Sequence, residues 1–164
     1  MKMASSAEWF IEGDELLALI RERLAAGQTV RYLPFRGVSM LPMLRQGKDS
    51  VELMPLPEKM KKYDLPVYQY PSGKYVMHRV VDVKDDHYIC NGDNLVQMET
   101  VYHHQMIAVV SAFTRDGKRI EIDDPRYRAY YRFWCAVRPV RHIWKKCVIR
   151  LKKRIKSVLK RFLG

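Results

Sequence analysis

The chain has 164 residues, 48% hydrophobic and 29% charged, with a formal net charge of +12. That length suits one compact domain with an appendage, and the composition excludes a disordered chain, which would be poor in hydrophobic and aromatic residues. The charge is segregated: residues 1–125 hold 16 Lys/Arg and all 18 Asp/Glu, whereas residues 126–164 hold 14 Lys/Arg and no acid. Basicity is therefore a tail property and points to an anionic surface, lipid or nucleic acid. Cys90, Cys135 and Cys147 form no C-x-x-C pair and leave one over in any disulfide scheme, which speaks against a disulfide framework or a zinc site and for a reducing compartment.

In chain order, residues Met1 to Phe10 hold no apolar core of signal-peptide length, and no run approaches the ~20 apolar residues needed to span a bilayer. The expectation is a cytoplasmic chain, at most peripheral at the inner face of a membrane. Apolar residues recur every three or four positions between Glu8 and Ala26, with Gly27 as a stop, so residues 1–28 read as one amphipathic helix. From Thr29 the texture changes to short β-rich runs: Thr29–Phe35, Ser50–Met54, Leu65–Tyr70, Tyr75–Val83, Tyr88–Asn91, Met106–Phe113 and Arg119–Ile122. Turns fall at Pro71-Ser72-Gly73 and Asp116-Gly117, the second within a hairpin. Residues 29–125 therefore read as a mostly-β domain. Residues 126–164 form a basic tail: an aromatic stretch from Tyr127 to Arg138, Pro139, and then Trp144, Val148, Leu151, Ile155, Val158 and Phe162 as a helical stripe among cations.

Three short stretches carry chemistry. Gly37-Val38-Ser39-Met40-Leu41-Pro42-Met43-Leu44 places a serine between a glycine and a proline-containing turn, where backbone N–H groups can face a developing oxyanion. A serine hydroxyl needs a base to remove its proton, and the neutral imidazole of His78, in Tyr75-Val76-Met77-His78-Arg79-Val80-Val81, suits that task near pH 7. An aspartate such as Asp93, in Asn91-Gly92-Asp93-Asn94, can hold the other imidazole nitrogen. Each stretch also has an ordinary reading: a turn serine, a strand histidine and an Asx turn. His87, His103 and His104 lack metal-type spacing and read as surface or packing residues, and Met40 and Met43 as packing beside the site. No metal and no cofactor is called for.

In this order the stretches resemble the motifs of the signal peptidase I and LexA-like S24/S26 serine peptidases, from about Thr29 to about Val110. The first looks like the family's Ser-Met-x-Pro-x-Leu box and implies Ser39 as nucleophile. The second is similar to the His-Arg-Val-Ile form of archaeal and endoplasmic-reticulum signal peptidases and implies His78 as base. The third resembles the Gly-Asp-Asn box and implies that Asp93 orients the base or supports the site. The resemblance implies a LexA/signal-peptidase-like β-fold, here with an N-terminal helix and a C-terminal basic amphipathic helix. There are departures: Gly47-Lys48-Asp49 has one residue more than the family's Gly-Asp, and Gly37 stands where signal peptidases often carry an oxyanion-binding hydroxyl. The oxyanion would then rest on backbone N–H groups at Val38 and Ser39. The endoplasmic-reticulum type has another acid after Gly-Asp-Asn, and this sequence continues Leu95-Val96-Gln97-Met98-Glu99, with no role assigned to Glu99 or Asp49 at this level. The family's N-terminal transmembrane anchor has no counterpart.

The expected function is a serine endopeptidase that processes a peptide, leader or precursor protein. Two alternatives stay open: a LexA-like regulatory domain that cleaves itself, with Ala26-Gly27 as the small-residue cut site, and an inactive β-scaffold whose tail binds membrane or nucleic acid. For the tail, an anionic membrane surface comes first, packing on the β-domain second and nucleic acid last.

Overall fold

The computed structural model describes residues 13–32 and 37–145, and beyond them residues 147, 148, 150 and 154. Helix α1 spans Gly13–Ala25 and docks through Ile20 and Leu24, one turn apart, which are both buried in the main core. Gly27 N–H donates to Leu24 O and Gln28 N–H to Arg23 O, each at 3.0 Å, the reciprocal pair that closes a helix C-terminus. Ala26-Gly27 is thus a helix end, as its composition also suggested. The expected first turns, from Glu8 to Glu12, lie outside the described residues.

The domain is mostly β, with antiparallel pairing throughout. Strands β1 (Val30–Tyr32), β2 (Ser50–Met54), β3 (Pro66–Gln69), β4 (Tyr75–Met77), β8 (Met106–Arg115) and β9 (Lys118–Glu121) form one sheet, and β5 (Arg79–Val83), β6 (Tyr88–Asn91) and β7 (Glu99–Val101) form another. The organising strand is β8, a near-continuous apolar run. It pairs with β2 along one edge and, along the other, with β3 through its first half and β9 through its second. Its side chains serve two cores, Ile107 and Val110 in one and Met106 and Val109 in the other. The Asp116-Gly117 turn joins β8 to β9 as a hairpin, as expected.

The expected single strand Tyr75–Val83 is two. Its first part pairs with β3 in the large sheet and its second with β6 in the small one, and His78 is the residue between them. Met77, His78, Arg79, Val80 and Val81 are all buried, so the period-two alternation of a half-exposed strand is lost as the chain passes from one sheet to the other. Strand β7 lies outside the β-rich runs expected from the sequence, since Glu99-Thr100-Val101 is short and polar at its start.

Helix α2 (Pro125–Ala136) begins with proline in its first turn and with the Asp124 carboxylate accepting from the N–H groups of Arg126 and Tyr127. Tyr127 and Tyr131, one turn apart, bury in the main core, so the aromatic part of the tail packs on the β-domain. A second helical run covers 138–145, with Pro139 in its first turn. Among the described residues no helix is long and apolar enough to cross a membrane.

Candidate active site

The site is built around a buried ion pair. Arg79 is completely buried, and its guanidinium donates to both carboxylate oxygens of Asp93, Nε to Oδ1 at 2.9 Å and Nη2 to Oδ2 at 2.7 Å. Nη1 donates to Tyr63 O and to the Tyr127 hydroxyl, and Nη2 also meets Met43 Sδ at 3.0 Å. The rings of Tyr127 and Tyr131 lie 5.8 and 5.4 Å from its central carbon. Burial works against the charge, but Asp93 and the hydrogen bonds more than offset it, so the guanidinium is held charged.

This corrects the expectation for Asp93, which does not orient His78. On an extended chain, neighbours point to opposite faces. His78 and Arg79 are neighbours, and Asp93 lies on the arginine side, where both of its oxygens are engaged.

The acid on the histidine side is Glu99. Its Oε2 lies 3.0 Å from His78 Nδ1, and the carboxylate also accepts from the hydroxyls of Tyr68 and Tyr70, the latter at 2.6 Å. Tyr68 Oη is itself 3.1 Å from Nδ1. Burial pushes the Glu99 carboxyl up, while the hydrogen bonds from His78, Tyr68 and Tyr70 pull it down further, to about 2. Burial and Glu99 together raise both tyrosine hydroxyls, which therefore remain donors. An ionised carboxylate only accepts, so Nδ1 carries a proton, and in the neutral imidazole Nε2 then holds the lone pair. Among the described residues Nε2 has no hydrogen-bond partner. Strand register makes this arrangement: Tyr68 pairs with Val76, which places Tyr68, Tyr70 and His78 on one face, and Glu99 opens a strand opposite Cys90; the sequence carries no local signal for it.

Ser39 is held from behind by the 92–94 turn. Asn94 N–H donates to Ser39 O at 2.7 Å and Asn94 Nδ2 to Val38 O at 3.0 Å. A Cβ on Gly92 would come within 2.9 Å of Ser39 O, so only glycine lets the two backbones approach. Asn91 Nδ2 ties the far side of the turn to Gln97 O at 2.6 Å. Gly37, at φ +152°, adopts a backbone that L side chains avoid, which favours glycine there. The loop is anchored at its other end by Arg115, whose Nη1 donates to Pro42 O and Met43 O, and by Asp49, which accepts from the N–H and the guanidinium of Arg45. Asp49, fully buried, thus closes the turn that follows the loop.

The N–H groups of Val38 and Ser39 have no acceptor among the described residues. No hydrogen bond joins Ser39 to His78. What links them is the frame: Arg79 follows His78 in the chain, grips Asp93, and touches Met43 of the serine loop, while Gly92 and Asn94 flank Asp93 and hold Ser39. No protein-family model, no curated protein and no solved structure matches the chain.

Two outcomes follow. Removing the acceptor with Asp93→Ala leaves the Arg79 charge buried without its partner and should cost about 3–5 kcal/mol in urea unfolding; a loss below ~1 kcal/mol would show that the pair does not hold the frame. Because Glu99 is lowered from its usual 4.5 to about 2 in the folded state, it contributes stability above pH 4.5 that is lost as pH falls toward 2. The urea midpoint of the wild type should fall through that window, and Glu99→Gln should be less stable at pH 7 and show a flatter fall; identical pH profiles for the two would contradict the assigned contacts.

Proposed function

We propose that the chain is a serine endopeptidase of LexA/signal-peptidase-like β-fold that cuts a peptide, leader or precursor protein, with Ser39 as nucleophile and His78 as general base. The observation that carries this reading is the His78 imidazole: buried, hydrogen-bonded through Nδ1 to an ionised carboxylate, with Nε2 left as the basic nitrogen on the same rigid frame as Ser39.

In the proposed reaction Ser39 Oγ attacks the carbonyl carbon of the scissile peptide bond while His78 Nε2 takes the hydroxyl proton. The tetrahedral oxyanion is received by the N–H groups of Val38 and Ser39. Collapse breaks the C–N bond, His78 gives its proton to the leaving amine, and an acyl-enzyme remains on Ser39. Water, deprotonated by His78, then releases the acid product. Glu99 is a positioning residue that fixes the imidazole tautomer and stabilises the imidazolium, the part the sequence offered to Asp93. A self-directed cut at Ala26-Gly27 has weaker support, since that pair is engaged as the closed end of α1.

Treatment with a fluorophosphonate probe, followed by mass spectrometry, tests the assignment without a known substrate. Labelling is expected at Ser39, absent in Ser39→Ala, and slower by on the order of 10²–10⁴-fold in His78→Ala and Glu99→Gln. Failure to label folded wild type with fluorophosphonate and with β-lactone probes would favour an inactive scaffold.

A further inference from the structure

The helical run 138–145 is turned inside out. Its polar side chains face the protein: Arg141 donates to Asp93 O at 2.9 Å and to Trp134 O at 2.8 Å, and Lys145 donates to Asn94 O at 2.5 Å and to the Asn94 side-chain oxygen. The Arg141 guanidinium also lies 3.7 Å from the centre of the Trp134 ring, whose Nε1 donates to Asp93 O. The apolar side chains face outward. Val140 is 70% exposed, Ile143 65% and Trp144 67%, and their spacing of i, i+3 and i+4 puts them on one helical face. Phe133, late in α2, is 63% exposed. A helix serving only its own domain turns such a face inward and its cations outward.

The segment that carries this face is cationic. Arg126, Arg128 and Arg132 on α2 and Arg150 and Arg154 farther along are exposed, and no acid occurs between residues 126 and 164. An occupant must therefore be apolar and anionic at once. A second copy of the chain would bring a like-charged tail, and duplex nucleic acid would meet the arginines but leave Val140 and Ile143 in water. An anionic bilayer surface meets both demands, with acyl chains for the apolar face and head groups for the cations.

We infer that this helix docks on an anionic lipid surface through Val140, Ile143 and Trp144. The inference goes beyond the peptidase reading and does not depend on it. Its inner face holds the carbonyls of Asp93 and Asn94, in the same turn whose Asn94 N–H donates to Ser39 O, so the docking face lies on the far side of the helix from that turn.

Co-sedimentation of the full chain with vesicles of phosphatidylglycerol and phosphatidylcholine, against phosphatidylcholine alone, tests this. Binding is expected only with phosphatidylglycerol, weakening as salt rises and falling about tenfold or more in the triple variant Val140→Ser/Ile143→Ser/Trp144→Ser. These side chains are exposed, so the variant should keep the wild-type circular dichroism and urea midpoint, which confirms that any loss is of docking. No sedimentation with anionic vesicles, or undiminished binding by the folded triple variant, would overturn the inference; so would vesicle binding abolished by a duplex DNA competitor that the triple variant binds as tightly as the wild type. Ser39→Ala protein should bind vesicles as the wild type does, which separates a failure here from a failure of the peptidase assignment.

Discussion

The buried pair of Arg79 and Asp93 is the constraint on which the rest of the site depends. A fully buried guanidinium is costly unless every donor finds an acceptor, and here the partners are five residues from four separate parts of the chain: Asp93, Tyr63, Met43 and, on α2, Tyr127 and the ring face of Tyr131. Satisfying one charge therefore brings the serine loop, the 92–94 turn, helix α2 and the crossover between the two sheets to a common point.

That geometry assigns each residue of Gly92-Asp93-Asn94 a mechanical role. Glycine permits backbone contact with Ser39, aspartate anchors the turn to Arg79, and asparagine holds the carbonyls of Val38 and Ser39. The three act on the serine loop from behind rather than on the imidazole. His78 is served by a separate group, Glu99 with Tyr68 and Tyr70, on the opposite face of the crossover. The proposed nucleophile and base are thus each fixed by their own polar network, joined through the His78-Arg79 peptide.

The tail divides between two environments. Tyr127 and Tyr131 are committed to the core, whereas the run 138–145 spends its cations on the carbonyls of Asp93 and Asn94 and leaves its apolar side chains in solvent. A positive segment that contacts the 92–94 turn on one side and presents an apolar face on the other ties whatever covers that face to the candidate site.

The β-rich class, the helix end at Gly27, the hairpin at Asp116-Gly117 and the three stretches around Ser39, His78 and Asp93 are legible in the residues alone, because these depend on local periodicity, turn chemistry and residue type. The residues also mark Ser39 and His78 as a candidate pair. Which acid faces the imidazole was decided only in three dimensions. Asp93 and Glu99 are both downstream carboxylates, and the choice rests on which face of an extended chain each one meets, a matter of strand pairing across the break at His78. The same holds for the tail: composition gave its charge and stripe, but which face of the helix turns toward the protein follows from the carbonyls that Arg141 and Lys145 meet, and those belong to a turn some fifty residues away in the chain.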